Sequence, residues 1–353
     1  MKTVTVICFL ALFLLGLSSL RPAPENRRLP ARAKMTLSEY GFFQGDMAEQ
    51  QPIAGVLPYD LNTPLFSDYA QKLRFVQLPE GQAATYRERD VLDLPVGSVL
   101  IKTFYYPQDF RQPEQGRVLL ETRLLLHEED GWYALPYIWN EEQTEAQLEV
   151  AGGTKDIAWK DLAGQPQQLA YSIPNMNQCK GCHVKNQQIK PIGPTARQLN
   201  RNHPYADGEQ NQLVKWESLG YLNSRPPDDE LPRLAVWDDP ASGTLNERAR
   251  AYLDINCAHC HSAEAPANTS GLLLDYYQTD STALGIAKPP VAAGRGTGGN
   301  AHDIVPGHPK ASIMWYRITS TDPGVRMPEL GRQLVHEEGV ALIEEWIESL
   351  TAE

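Results

Sequence analysis

The apolar positions of this chain change period from one stretch to the next. Val4 to Leu17 is almost unbroken apolar sequence behind Lys2, the charged start and apolar run of a secretory leader. Ser18 to Ala23 offers small residues for cleavage but no clean A-x-A site. An uncleaved anchor is the alternative, although the run is short for a span. From residue 60 to 175 the period is two. In Arg117–His127, Val118, Leu120, Leu124 and Leu126 alternate with Glu121, Arg123 and His127, which predicts a strand with one apolar face. Glu128-Glu-Asp-Gly131 is a turn, Trp132–Trp139 continues as an aromatic-rich strand, and Val96–Tyr106 is a further strand. At the far end His336–Leu350 carries Val340, Ile343, Trp346, Ile347 and Leu350 at helical spacing. Thr244-Leu-Asn-Glu247 is a capping box that opens a helix through Tyr252. The pattern is α+β: a mostly antiparallel sheet first, helices last.

Five cysteines are present. Cys8 lies in the leader and goes with it if the leader is cleaved. The others form Cys179-Lys-Gly-Cys182-His183 and Cys257-Ala-His-Cys260-His261. A C-x-x-C pair followed at once by histidine is the attachment signature of c-type haem. Two thiols one helical turn apart reach the two vinyl groups, and the next imidazole then binds the iron. Zinc and thioredoxin-like redox chemistry compete for these residues. The pairs lie too far apart for a zinc finger, whose pairs sit ~15–20 residues apart, and neither has a βαβ context. The expected cofactors are two covalent haem c groups, on Cys179 and Cys182 with His183, and on Cys257 and Cys260 with His261.

The sixth ligand of the second iron should lie between the helix at Thr244 and the terminal one. Met327, in Val325-Arg-Met-Pro-Glu-Leu-Gly331, is the candidate, because the following proline fixes the loop that presents its thioether. Met314 is the rival but sits in a helical stretch and suits the core. For the first haem the candidates are His203, Met176, Lys185, Lys190 and an open position. Gly294-Arg-Gly-Thr-Gly-Gly299 fits G-x-G-x-x-G, but prolines precede it, so it is a flexible loop.

Apolar residues make up 42% and charged residues 22% of the 353 positions, which excludes a disordered chain and a multi-span membrane protein. Lys plus Arg total 32 against 44 Asp plus Glu, a net charge of -12. Such a surface repels phosphate backbones, so nucleic acid is excluded as a partner. It suits a redox protein with a basic docking patch.

The C-terminal third, with Asp303-Ile-Val-Pro-Gly307 and Met327-Pro328, resembles class I cytochrome c. The resemblance implies packing of its first helix on its last, and propionate contacts from Arg317 or Arg332. The sheet followed directly by a haem motif resembles cytochrome c-prime-beta and its hydroxylamine-oxidising relatives. In the latter a strand lysine is crosslinked to the haem. Lys102, in Pro95-Val-Gly-Ser-Val-Leu-Ile-Lys102, is the matching position, set against the ordinary reading of a solvent-facing strand lysine. Leu57–Tyr69, Trp139–Ala146 and Lys190–Asn200, together with both motifs, resemble a family of exported bacterial dihaem c-type cytochromes.

These readings divide the chain into a leader or anchor at 1–24, a β-rich domain with the first haem at 35–240, and an all-α domain with the second at 241–353. They imply a periplasmic dihaem cytochrome that transfers electrons between redox partners. It would touch a membrane only if the leader stays attached. One alternative is a haem enzyme acting on peroxide, nitric oxide or hydroxylamine at an open first iron. Another makes the β-rich region a docking module beside a dehydrogenase.

Overall fold

Six strands run as a meander in the computed structural model, which describes residues 29–351. They are β1 (Val56–Pro58), β2 (Gln71–Gln77), β3 (Val99–Pro107), β4 (Arg117–Glu128), β5 (Gly131–Trp139) and β6 (Ala146–Leu148). Each pairs antiparallel with the next in sequence. The three strands expected in this region are therefore β3, β4 and β5. The expected leader lies outside the described residues, among which no helix is long and apolar enough to cross a membrane. Gly131 closes the β4–β5 turn at φ 124°, a conformation that favours glycine.

Strict alternation fails at one place in β4. The β3–β4 register shifts between Phe104 and Tyr105, so Phe104 faces Glu121 while Tyr105 faces Leu119. A bulge inserts one residue and resets the faces beyond it. Leu120 therefore packs with Phe104 and Tyr106, on the side of Glu121 rather than opposite it. The long hairpin of β7 (Gly153–Lys160) and β8 (Pro166–Ile173) adds Ile157, Trp159, Tyr171 and Ile173 to this cluster. It ends where α1 (Met176–His183) begins.

Beyond α1 come the short helices α2 (Ala196–Leu199) and α3 (Gln212–Ser218), then α4 (Leu245–Asn256), α5 (Ile313–Thr319) and α6 (Glu337–Ser349). The architecture is α+β, sheet first and most helix last. The capping box is formed: Thr244 Oγ1 accepts from Glu247 N at 3.2 Å and the Glu247 carboxylate accepts from Thr244 N at 2.8 Å. The terminal stripe lies on α4, with Ile343, Trp346 and Ile347 clustered on Ala249, Tyr252 and Leu253. Trp346 Nε1 also donates to Asn246 Oδ1 at 2.9 Å. Met314 is buried in the same cluster, the core role expected of it. Gly294–Thr297 is a single 3-10 turn.

Residues Lys34–Glu353 form one compact unit, tied together by buried polar contacts. Asn256 Oδ1 accepts from Phe66 N at 2.8 Å. Asp68 Oδ1 accepts from Gln333 N and Leu334 N at 2.6 and 2.7 Å. Arg197 of α2 grips Asp254 of α4 at 3.0 and 3.2 Å, with side chains 10% and 6% exposed. Removing one member of such a pair strands the other charge in a low-dielectric site. Asp254→Ala is therefore expected to cost about 3–5 kcal/mol, read as a lower urea midpoint. A loss no larger than that of an exposed pair, below ~1 kcal/mol, would contradict the burial described.

Candidate functional site

The first motif sits on a helix that its own sequence caps. Asn175 Oδ1 accepts from Gln178 N at 2.8 Å and Gln178 Oε1 accepts from Asn175 N at 2.9 Å. Cys179 and Cys182 thus fall one turn apart, with His183 at the end of α1. The two-stranded hairpin of β9 (Val184–Lys185) and β10 (Gln188–Ile189) follows. Asn186 and Gln187 turn it at φ 50° and 62°. It returns the Lys190 carbonyl to the histidine, and His183 Nδ1 donates to that oxygen at 2.8 Å. With its proton committed there, the ring keeps the Nε2 lone pair for a metal. Burial, with Lys102 nearby, lowers the His183 pKa to about 4, so the ring is neutral at pH 7 and able to ligate.

The second motif closes α4. Cys257 N donates to Leu253 O as the helix ends, and Cys260 N and His261 N both donate back to Cys257 O. This tight turn holds the two thiols and the imidazole together. Burial lowers the His261 pKa to about 4, against an opposing backbone hydrogen bond at Leu272. Burial also raises the Cys257 thiol to about 12. All four cysteines are free of disulfides.

A cavity of about 540 Å³ is lined by Cys179, Cys182 and His183 of the first motif and by Cys257 and His259 of the second. Met327 lines it as well. Cys260 and His261 do not line it. The Met327 loop is fastened from behind. Met327 N donates to Arg317 O at 3.0 Å, and Met327 O accepts from Arg332 Nε and Nη2 at 3.0 and 2.7 Å. Arg332 also donates to the carbonyls of Arg317, Ile318, Ser320 and Leu334. Arg317 Nε donates to Val325 O at 2.8 Å. The two arginines expected at propionates thus spend these donors on loop backbone. Arg326 differs: it lines the cavity and its buried Nε has no partner. A buried donor left so costs free energy, and an incoming carboxylate would satisfy it. The sequence offered no signal for Arg326 beyond its place beside Met327.

The sheet lines the same cavity. Arg74, Lys102 and Arg123 lie directly across from one another on β2, β3 and β4, and Lys72 lies across from Phe104. All four line the cavity. The Glu121 carboxylate accepts from Arg123 Nε at 2.7 Å, and Asp60 accepts from Arg74 Nη1 at 2.7 Å. Lys72 Nζ donates to the Leu65 and Ala70 carbonyls at 2.8 Å, and burial pushes its pKa well down. Burial, with Arg123 and Arg74 beside it, lowers Lys102 to about 7. The solvent-facing reading of Lys102 is corrected: it points into the cavity. A period of two assigns a residue to a face but cannot say that distant segments will enclose that face.

The other first-haem candidates fall elsewhere. His203 packs on Tyr205 at 4.8 Å between centroids and is not in the wall. Lys185 pairs with Asp90 and Glu264 at 3.1 and 3.4 Å. Lys190 contributes its carbonyl to His183. Instead the wall holds His336, which sequence reasoning missed because it reads as a helix start. His336 stacks on Phe66 at 4.1 Å, and its Nδ1 shares a 3.0 Å hydrogen bond with the Tyr252 hydroxyl.

The model of the Planctomycete cytochrome C family matches residues 257–330, a segment that holds the second motif and Met327. That region is of cytochrome c type, so the chain is a haem c protein. No curated protein and no solved structure matches the chain. The residues fit a thioether-bound haem: thiols at the right spacing, neutral imidazoles with lone pairs free, and an orphaned Arg326 donor beside a cationic wall.

Burial lowers the His336 pKa from 6.5 to about 4. Between those values the unfolded chain binds the extra proton, so stability falls as the pH drops from about 6.5 toward 4. His336→Gln, which keeps a polar partner for Tyr252, should lose on the order of 2 kcal/mol less than the parent between pH 7 and pH 4. Urea midpoints across that range check this, and parallel curves would contradict it.

Proposed function

We propose that the protein is a periplasmic dihaem c-type cytochrome that carries electrons between redox partners. The observation that carries this reading is one cavity lined by Cys179, Cys182 and His183 of the first motif and by Cys257 and His259 of the second, which lies in the cytochrome c-type region. Covalent haem supplies reversible one-electron chemistry at a fixed potential. Cys179, Cys182, Cys257 and Cys260 hold the two groups. His183 and His261 offer neutral imidazoles to the irons, and Met327 offers its thioether to the second. Arg326 and the Arg74–Lys102–Arg123 row suit the propionates by charge. In this reading 35–240 carries the first haem and 241–353 the second.

Two sequence features support export. The leader resembles a secretory one, and the combination of motifs resembles exported bacterial dihaem cytochromes. The membrane is touched only if the leader is retained. The net charge of -12 favours a partner with a basic patch, attracted through long-range fields.

A second reading draws on Lys102. Its amine lies in the cavity with its pKa near 7, so it can hold or release a proton beside the first motif. That suits turnover of peroxide, nitric oxide or hydroxylamine at an open first iron.

One preparation tests both. The protein made in a host competent for haem attachment should gain the mass of two haems, and C179S/C182S and C257S/C260S should each lose one. Met327→Ala should keep both haems and show a lower potential at one, because a thioether ligand raises it. A colourless protein with no mass gain would overturn the reading. Carbon monoxide binding at one reduced haem of the parent would favour the enzyme, and no binding would favour the carrier.

A further inference from the structure

The two attachment segments run side by side. Cys260 Sγ donates to the Gly181 carbonyl, inside the first motif, at 3.6 Å. Just beyond the motifs, Asn186 N donates to Glu264 O at 2.9 Å, and Lys185 pairs with Glu264 at 3.4 Å. The Cys182 and Cys260 sulfurs and a ring nitrogen of His259 all lie within 4.8 Å of one another. His259 Nδ1 shares a 3.2 Å hydrogen bond with Ile255 O, which fixes the ring beside the sulfurs. A Cβ added at Gly181 would come within 2.8 Å of Leu330 Cδ1, so that side chain would have to shift to admit one.

From this juxtaposition we infer that Cys182 and Cys260 hold the two porphyrins edge to edge, so that the haems act as one coupled pair rather than as two separate carriers. The inference rests on the two-haem reading and deepens it. Each attachment would add a thiol S–H across a vinyl C=C, forming a C–S bond and placing the hydrogen on the other vinyl carbon, which ends the Cys260 S–H bond to Gly181. The Asn186–Glu264 hydrogen bond and the Lys185–Glu264 ion pair involve no sulfur, so they keep the segments together after attachment. The two macrocycle edges would then be separated by no more than the sulfur gap, within 4.8 Å, plus one carbon–sulfur and one carbon–carbon bond on each side.

Two consequences follow from that proximity. One electron passes from a reduced haem on the second motif to an oxidised haem on the first, with no bond made or broken and no proton moved. A one-electron protein donor refills the second haem. In a buried site the charge of the first electron also opposes arrival of the second. The pair therefore accepts two electrons in unequal steps, even where the isolated haems would match.

The test uses the purified full chain carrying haem. Mass spectrometry first counts the haems, and a count of zero or one overturns both this inference and the reading beneath it. With two haems present, electron paramagnetic resonance is recorded on the oxidised and half-reduced protein. The expected result is broadening or loss of the isolated ferric signals in the oxidised state, with their recovery on half reduction. Potentiometric titration should also differ from the sum of the curves of C179S/C182S and C257S/C260S. Two haems with additive, unbroadened spectra would overturn the edge-to-edge pairing and leave the two-haem reading standing. The resonance measurement needs no variant, so it decides even if the single-haem forms fail to fold.

Discussion

His183 keeps its Nδ1 proton on the Lys190 carbonyl, and the chemistry of the first motif depends on that bond. Without it the ring could rotate or take the other tautomer, and Nε2 would no longer be reserved for a metal. The bond needs the chain to reverse directly after the helix. It does so through Asn186 and Gln187 in the left-handed region. The same turn offers the Asn186 amide to Glu264. One local reversal thus sets a histidine's tautomer and joins the two motif segments.

The sheet meets this helix with an unusual face. Three cations in a row would repel one another in a low-dielectric cavity if nothing answered them. Glu121 and Asp60 answer Arg123 and Arg74 from the sides, and Lys102 is left with a depressed pKa. A wall of that sign favours carboxylates, which the periphery of a haem supplies. The unpartnered Arg326 Nε on the facing loop has the same preference. The cavity is therefore a weak place to leave empty of anions.

Much of this was legible because it is periodic or local. The α6 stripe, the Thr244–Glu247 box and the strands β3 to β5 are statements about neighbours in sequence, and they hold. What was not legible depends on distant segments. The bulge opposite Phe104 moved Leu120 to the face of Glu121, and alternation has no term for it. Lys102 reads as an ordinary strand lysine until distant segments enclose the cavity that it lines. His336 becomes part of the cavity only because Phe66, Tyr69, Trp237 and Tyr252 converge on it. The cysteine motifs were plain in the sequence, but their mutual closeness was not, since many elements lie between them.

The guanidinium of Arg332 reaches five backbone carbonyls around the Met327 loop. Such a loop has little freedom to relax when a unit of charge arrives or leaves beside it. Work that a softer loop would spend on rearrangement is then not added to the barrier for electron exchange. A stiff cradle of this kind favours rapid hopping at small driving force.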